Sequence, residues 1–544
     1  MSFDHKTFTS LGVAGALCCT MLAGVAEAAS SSPNNLHLPG MQDRPYAQDN
    51  TYTRMFPDLL PFAQPTDTVR DMAKKLGEKG GVIDALDNLT DPVQSITNPN
   101  EFSPNNPDNP NMTAGVTFLG QFLDHDITLD PRSALLERSD PRTTTNFRTA
   151  AFDLDSVYGA GPEGSPELYD VSSGDIKMRV EPIPGSELVS RKGAIRFDLP
   201  RDSGNNAILG DSRNDEHVIL AQLHVAMLRF HNAVVDTLRA DPAHAGKSSD
   251  EIFKLAQRQV RWHYQWIIVH EFLPLTIGQA RLDDILQKGL RYYQVSDTFV
   301  TRRDRNSRKP QLPIEFTVAA YRFGHSQIRP SYRLNFGPDG GQPFFAFVFD
   351  DTQDPNDPDP IDLRGGKRAP RRFVDWQTFF NFGDGNFRPN KKIDTKLSSV
   401  VMLLPGSRGP APGLPSDGVQ SLASRNLMRH VNFEIPSGQA IARRMGVPAL
   451  PPSQLDMLRP FAMEKSTPLW FYILKEAELM ENGLRLGPVG GRIVGEVFVG
   501  LLKADESSYL AAQPNWTPVL PSATPGDFRI TDLLTFAGVV PPLN

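Results

Sequence analysis

Four polar clusters in this sequence combine residue types that could perform redox or proton-transfer chemistry. They contain, in chain order, Gln121, Asp124, His125 and Asp126 in "GQFLDHD", Arg213 and Glu216 in "GDSRNDE", His325 in "YRFGHSQIRP", and Asn426 and Arg429 in "SRNLMRH". The first cluster interrupts an apolar run, and burying carboxylates and an imidazole without partners costs several kcal/mol for each group. The stretch is therefore either a solvated amphipathic helix or the holder of groups that something buried requires.

Each cluster taken alone has an ordinary structural interpretation, such as a core histidine, a surface salt bridge or a braced turn. Taken together, the clusters suggest a haem site. Five-coordinate iron needs one neutral imidazole whose other nitrogen donates to a fixed acceptor. Peroxide cleavage on the opposite face needs a base and a cation, and histidine and arginine suit these roles. Zinc is less well supported, because the chain has no HExxH motif.

The elements that must position these clusters are predicted from apolar periodicity. Apolar residues after "GDSRNDE" recur at spacings of three and four, which is typical of a helix with one buried face. Further helices are predicted at 68–76, 249–272, 470–482 and after "GPVGGR" to about 502, with short strands at 176–180 and 346–349. The pattern predicts a mainly α protein in which a single large helical domain encloses a haem between helices, with few short strands.

Composition and the N-terminus limit the partners and the location of the protein. The net charge of −7 and pI of about 5.9 indicate no polyanion-binding surface, so nucleic acid is not an expected partner. Residues 1–29 have the pattern of a cleavable signal peptide, which predicts a secreted or periplasmic product. Both cysteines, Cys18 and Cys19, lie in that segment. Residues 30–110 are predicted to form an irregular arm and 111–544 the helical domain, without a membrane span.

The motifs and their order resemble those of the animal-type haem peroxidases, in the peroxidase–cyclooxygenase superfamily that includes myeloperoxidase and lactoperoxidase. The resemblance runs from about residue 50 to the C-terminus and rests on "GQFLDHD", "FDLDSVYG", "GDSRNDE", "YRFGH", "RNLMR", "TPLWFYILKEA" and "GPVGGRIVGE". It implies a haem peroxidase domain at 111–544 with haem b as cofactor. It also implies that hydrogen peroxide oxidises a halide, pseudohalide or phenolic donor through a ferryl intermediate. It specifies neither the donor nor an oligomeric state.

On the distal side, the resemblance implies a role for each matching position. His125 corresponds to the distal base, Arg213 to its catalytic partner, and Gln121 to the amide that orders water or halide above the iron. Asp124 and Glu216 match the carboxylates that form ester bonds to haem methyl groups in the mammalian enzymes. The presence of both carboxylates makes covalently bound haem an expectation of the resemblance.

On the proximal side, His325 corresponds to the iron ligand, and Asn426 to the acceptor for its outer nitrogen. Arg322 and Arg429 correspond to the residues that pair with the haem propionates. Residues 430–434 depart from the basic, glycine-containing stretch that the family has at this place. The support of the proximal histidine is therefore expected to differ locally.

The resemblance also implies a calcium site next to the distal histidine. Asp126, Thr149, the Ala151 carbonyl, Asp153 and Asp155 correspond to its ligands. Oxygen ligands from a carboxylate-rich loop suit a hard cation such as Ca²⁺. The residues alone are equally compatible with an Asx-rich turn, which is a common structure. The expected role of the ion is to hold the segment that carries His125.

One further departure from the family pattern, and two alternative functions, complete the sequence-based interpretation. His217 follows Glu216 where myeloperoxidase has a methionine linked to haem through sulfur, so bromide, iodide, thiocyanate or phenols are favoured over chloride. One alternative is a haem fatty-acid dioxygenase, but the radical tyrosine of those enzymes would occupy the position of Arg322, and Tyr321 is one residue earlier. The other is a non-catalytic calcium- and haem-containing adhesion or matrix protein, against which the presence of His125 argues.

Overall fold

The computed structural model describes residues 50–294, 310–354, 356–404 and 418–540. The predicted signal peptide at 1–29 and the arm up to residue 49 lie outside the described residues. The described α-helices are Asp67–Gly77, Pro92–Thr97, Pro99–Phe102, Gly115–Ile127, Asp155–Tyr158, Gly161–Gly164, Val218–Ala240, Ser249–Ile267, Leu273–Ile277, Gln279–Lys288, Leu422–Asn432, Gly438–Arg444, Leu469–Met480, Pro488–Ala504, Tyr509–Ala512 and Ile530–Phe536. The mainly α class is confirmed.

The strands in the described part of the chain form small antiparallel pairs rather than a larger sheet. They are Asp108–Thr113 with Pro389–Lys391, Tyr169–Asp170 with Lys177–Met178, Glu181–Pro182 with Phe197–Asp198, and Ser331–Asn335 with Phe344–Phe347. The two predicted strands overlap Lys177–Met178 and Phe344–Phe347. The pairing of Asp108–Thr113 was not predicted, because its Asn- and Pro-rich sequence has low strand propensity and its partner is distant in the chain.

The longest helix, Val218–Ala240, passes through the core. Its N-cap is His217, whereas Asp211, a residue type that commonly caps helices, caps a separate 3₁₀ turn. Among the described residues, this helix alone is long and apolar enough to cross a membrane. In this fold, however, 83% of its most apolar window is buried in the protein interior, as in the core helix of a globular domain.

The predicted helix at 249–272 is divided by the backbone. Ser248 and Glu251 form a capping box at its start, and Ser249–Ile267 is regular. A π-helical turn, Ile268–Phe272, then precedes the helix Leu273–Ile277, whose second residue is a proline. Proline removes a backbone donor and clashes with the preceding turn, which explains why the regular α-helix does not continue through this point.

The described part of the arm, residues 50–110, is more ordered than its composition predicts. The helix Asp67–Gly77 packs against Leu422–Asn432, and a Cβ atom at Gly77 would lie only 2.4 Å from the backbone nitrogen of Ser424. The strand Asp108–Thr113 runs across the boundary that the sequence suggested at residue 110. The arm therefore covers the helix that carries the fourth polar cluster.

Candidate functional site

His125, the predicted distal histidine, lies on the helix Gly115–Ile127, and its ring contacts a buried amide. His125 Nδ1 is 2.9 Å from Asn214 Oδ1, and Asn214 Nδ2 is 3.0 Å from His224 Nδ1. The three residues are 5%, 0% and 1% exposed. Burial, reinforced by the Arg213 guanidinium, lowers the pKa of His125 to about 3, so the ring is neutral at neutral pH. With Nδ1–H donated to Asn214, Nε2 is left as a proton acceptor.

Arg213 is clamped in one orientation beside this histidine. Its Nε and Nη2 atoms donate to the Asp211 carboxylate at 3.0 and 2.7 Å, and Nη2 also donates to the carbonyls of His125 and Thr128. Although burial opposes ionisation, the Arg213 and Arg148 guanidinium groups hold the pKa of Asp211 well below its usual range. Arg213 is therefore a permanent, preorganised cation whose position depends on an ionised Asp211.

Three further distal residues lie around the same space. Gln121 Nε2 donates to Glu216, and Gln121 Oε1 is 2.9 Å from His217 Nε2. Glu216 keeps accessible surface although it is surrounded by protein, and burial raises its pKa to about 7. Asp124 is half-buried; burial raises its pKa, while Arg213 and Arg322 oppose that shift. The structure thus brings the predicted distal residues together.

His325, the predicted proximal histidine, lies in a 3₁₀-helical segment, Ala320–Gln327. His325 Nδ1 is 2.8 Å from Asn426 Nδ2, while Asn426 Oδ1 accepts from Arg322 Nη1 at 3.1 Å. The two predicted partners are therefore adjacent, but the amide oxygen faces Arg322 rather than His325. Burial, reinforced by Arg322, lowers the pKa of His325 to about 3, which leaves the neutral imidazole that a metal ion requires.

Arg322 and Arg429 are placed differently from one another. Arg322 donates to the Thr317 carbonyl and to Asn426, and no carboxylate of the described residues forms an ion pair with it. Burial lowers its pKa to about 10, and the nearby Arg429 adds to the shift. Arg429 binds the 130–133 loop, donating to Ser133 and lying 3.7 Å from Asp130. Of these two arginines, Arg322 is thus the one without a carboxylate partner among the described residues, whereas Arg429 pairs with Asp130.

Residues 430–434, whose sequence departs from the family pattern, contact the segments around His325 through His430. His430 Nδ1 is 2.8 Å from the Asn426 carbonyl, and its Nε2 accepts from the Trp470 backbone nitrogen at 3.0 Å. The Trp470 indole donates to the Arg322 carbonyl at 3.0 Å. His430 therefore connects the helix carrying Asn426 to the segment carrying His325.

The predicted calcium ligands form a compact acidic group. Single carboxylate oxygens of Asp126, Asp153 and Asp155 lie within 4.8 Å of one another. Burial, followed by repulsion from the other two carboxylates, raises the pKa of Asp126 well above its usual range. Thr149 donates from its backbone nitrogen and its hydroxyl to Asp155, and Ala151 is buried in the same loop. A divalent cation would relieve this repulsion, and oxygen ligands of this kind suit Ca²⁺.

The acidic loop and the distal arginine share a partner. Arg148 is 4% exposed, and it donates to Asp155 at 3.3 Å and to Asp211 at 2.8 Å. Asp211 in turn orients Arg213. The Asp155 loop is therefore coupled to Arg213 through three successive ion pairs, Asp155–Arg148, Arg148–Asp211 and Asp211–Arg213.

A calcium effect on stability is expected from this arrangement. Chelation with EGTA should lower the midpoint of thermal unfolding of the full chain, because an ion that binds only the folded state at 100 times its Kd stabilises it by about 2.7 kcal/mol. The variant Asp126→Asn should melt at the same temperature with and without EGTA. Asp357→Asn, in the acidic loop at 350–362, is the matched control and should respond to EGTA like the parent. An unchanged parent melting curve would contradict the calcium assignment.

Sequence reasoning did not identify Asn214 and His224 as part of the site, and it noted His217 only as a departure from the family, without its contact to Gln121. The spacing of His217, His224 and His231 by seven residues places all three on one face of the helix and was the available signal. His231 contacts the Tyr158 hydroxyl and the Ile176 carbonyl, away from the distal group, and fits the ordinary structural interpretation. The contact of His224 with Asn214 was not readable from the sequence.

Known proteins resemble this chain in sequence. Residues 132–343 match the family model of the animal haem peroxidases. The chain is 25% identical over 405 residues to the chorion peroxidase of Aedes aegypti, covering 72% of this chain and 46% of that protein. It is 26% identical over 212 residues to human thyroid peroxidase, covering 36% of this chain and 21% of that protein. The chain thus spans less than half the length of these relatives.

Solved structures share the fold. Peroxidase A from Dictyostelium discoideum superposes with a TM-score of 0.53 at 18% identity, over 86% of this chain and 90% of that one. The fatty acid alpha-dioxygenase of Oryza sativa superposes with a TM-score of 0.53 at 14% identity, over 85% of this chain and 76% of that one. These structures show a shared fold, and the match at residues 132–343 makes this chain similar to the animal haem peroxidases. Haem is the cofactor that this similarity implies.

Proposed function

We propose that this protein is a haem-dependent peroxidase that uses hydrogen peroxide to oxidise a halide, a pseudohalide or a phenolic donor. The observation that carries the proposal is the pair formed by a buried neutral His125, with Nδ1 tied to Asn214, and a clamped Arg213 beside it. A base with one free nitrogen and a fixed cation are the two groups that heterolytic peroxide cleavage requires. The signal-like pattern at 1–29 supports a secreted or periplasmic location.

The residues of this chain fit a haem. Neutral His325 can supply its nitrogen to the iron, and Arg322 is a buried guanidinium without a carboxylate partner among the described residues, which suits a propionate. Asp124 and Glu216 would supply the carboxylates if ester bonds to the haem formed. When bound, haem supplies an iron that activates peroxide.

The chain's own residues would handle the proton and the charge. His125 Nε2 takes the proton from one peroxide oxygen and returns it to the other, while Asn214 keeps Nδ1 protonated and the ring in one orientation. Arg213 stabilises the negative charge that develops on the departing oxygen. Because the Asp211 carboxylate and the backbone carbonyls of His125 and Thr128 fix Arg213 beforehand, little reorganisation is needed at the moment of cleavage.

On the proximal side, Arg322 and Asn426 would exchange partners. In this structure, Arg322 Nη1 donates a hydrogen bond to the amide oxygen of Asn426. If Arg322 pairs with a propionate instead, the amide is released and can rotate so that its oxygen accepts from His325 Nδ1–H. That hydrogen bond would orient the imidazole and raise its basicity toward the iron.

The fatty-acid dioxygenase alternative is less well supported. The hydroxyl of Tyr321 donates to the Gly120 carbonyl at 2.9 Å, and the side chain is 7% exposed. A tyrosine that must abstract hydrogen from a fatty acid needs an accessible oxygen next to the substrate. The position three residues before His325 is Arg322, which cannot form a phenoxyl radical.

The activity is tested on the full chain, expressed with haem and calcium. We expect a Soret band, and peroxide-dependent oxidation of guaiacol or bromide followed by absorbance. His270→Ala, which changes a half-buried histidine outside the clusters, is the control and should retain both properties. Haem binding without donor oxidation, combined with oxygen uptake on an unsaturated fatty acid, would favour the dioxygenase. Binding of haem and calcium with neither reaction would favour the non-catalytic adhesion or matrix protein.

A further inference from the structure

His217 begins a series of hydrogen bonds in which the direction of every donor can be assigned. The ring is 4% exposed, and its Nδ1 lies 3.2 Å from the backbone nitrogen of Leu220. A backbone N–H can only donate, so His217 Nδ1 must be an unprotonated acceptor. This contact makes His217 the N-cap of the helix Val218–Ala240. Burial lowers the pKa of His217 to about 3, which keeps the ring neutral.

The state of Nδ1 determines what the other nitrogen does. In a neutral ring whose Nδ1 is unprotonated, Nε2 carries the hydrogen. His217 Nε2 is 2.9 Å from Gln121 Oε1, so it donates to that oxygen. The amide nitrogen of Gln121 then faces Glu216, whose carboxylate accepts from it. The backbone N–H of Leu220 assigns the protonation of the His217 ring, and the ring in turn assigns the orientation of the Gln121 amide.

We propose that His217 is a positioning residue that holds Gln121 with its N–H groups, rather than its oxygen, available on the distal side. One hydrogen of Gln121 Nε2 is used by Glu216, and the second has no protein acceptor among the described residues. That hydrogen suits a ligand that accepts a hydrogen bond, such as a peroxide oxygen or a small anion. The inference rests on the proposed function for the identity of the ligand, but the orientation of Gln121 stands on the protein contacts alone.

The rival interpretation is that His217 only caps the helix. The two roles use different ring nitrogens, so they can be separated by substitution. Asparagine is a good N-cap residue and can accept from the backbone as His217 does, but it is too short to reach Gln121 as the imidazole does. His217→Asn should therefore preserve the cap while losing the contact to Gln121. His217→Leu removes both and shows the cost of losing the cap.

The first measurement is made on the haem-free full chain with ¹⁵N-labelled histidine. We expect His217 to show an unprotonated Nδ1 and a protonated Nε2, and we expect the Nε2–H resonance to shift in Gln121→Leu. The opposite tautomer, or a resonance indifferent to Gln121→Leu, would overturn the proposal. Because haem and peroxide are absent, this result does not depend on whether the protein is a peroxidase.

The second measurement uses sodium fluoride as a probe of the haem-loaded chain, followed by the visible spectrum. We expect His217→Asn to weaken fluoride binding about tenfold or more, which is the effect of losing one oriented hydrogen bond to a charged ligand. Its thermal midpoint should remain that of the parent, because the cap is preserved. Equal fluoride affinity in the parent and in His217→Asn would show that His217 is only a cap, and would overturn the proposal.

Discussion

Replacement of His125 by leucine is expected to slow the reaction of the haem-loaded protein with hydrogen peroxide by about 100- to 10,000-fold, the usual contribution of a positioned acid–base group. The rest of the distal group should remain in place, because Arg213 is held chiefly by the Asp211 carboxylate and by backbone carbonyls, not by the His125 ring. The rate is measured by stopped-flow from the change in the Soret band. Haem content and the thermal midpoint are measured on the same samples.

Substitutions of Asn214, whose side-chain amide contacts His125, should slow the reaction with peroxide by smaller amounts. Asn214→Leu removes the acceptor for His125 Nδ1–H at nearly constant volume, so the ring can rotate or adopt the other tautomer. We expect a smaller loss than for His125→Leu. Asn214→Asp restores an acceptor at the same position and should recover much of the rate. Both Asn214 variants change the same buried site, but only Asn214→Asp keeps an acceptor for His125 Nδ1–H. A faster reaction of Asn214→Asp than of Asn214→Leu would therefore show that this acceptor positions the base.

His244→Ala is the matched control for the histidine substitution. His244 is at the surface end of a helix, near Asp241, and it is remote in sequence from the four clusters. Its variant should react with peroxide at the parental rate. If His125→Leu reacted as fast as His244→Ala, His125 could not be the base, and the proposed mechanism would have to be abandoned.

The second large expected effect is the loss of haem binding when His325 is replaced. His325→Ala is expected to lose the Soret band of the parent, because the neutral imidazole is the chain's proposed ligand to the iron. Absorption of the purified protein per mole of chain is the measurement. His325→Gly, supplied with exogenous imidazole, should recover part of the band if the fold is intact. This rescue separates loss of the ligand from loss of the fold.

A neighbour of His325 tests how the imidazole is held. Asn426→Leu leaves His325 in place but removes the side chain that lies 2.8 Å from Nδ1. We expect this variant to bind haem with a shifted Soret band and weaker retention, since outer partners of a metal-ligating histidine typically contribute about 10- to 100-fold in affinity. Full haem binding by His325→Ala, with a spectrum equal to that of the parent, would exclude His325 as the ligand.

The sequence by itself determined the fold class, the main helices and the identity of most candidate residues. Helix periodicity is a local property, so the predicted helices at 470–482 and after "GPVGGR" agree with Leu469–Met480 and Pro488–Ala504 to within a few residues. The four clusters were recognisable because burying polar groups in apolar segments costs free energy unless those groups have partners. The order of the motifs then indicated a resemblance to the animal haem peroxidases, and the proposed roles follow from that resemblance.

Only the tertiary structure decided how those residues are connected. The contacts of Asn214 with His125, of His217 with Gln121 and of Arg322 with Asn426 join segments that are 89, 96 and 104 residues apart. No local pattern encodes such pairs, because a hydrogen bond depends on the distance and orientation of groups that separate helices bring together. The same holds for the arm: the helix predicted at 68–76 is present as Asp67–Gly77, but its packing on Leu422–Asn432 could not be predicted from the local sequence.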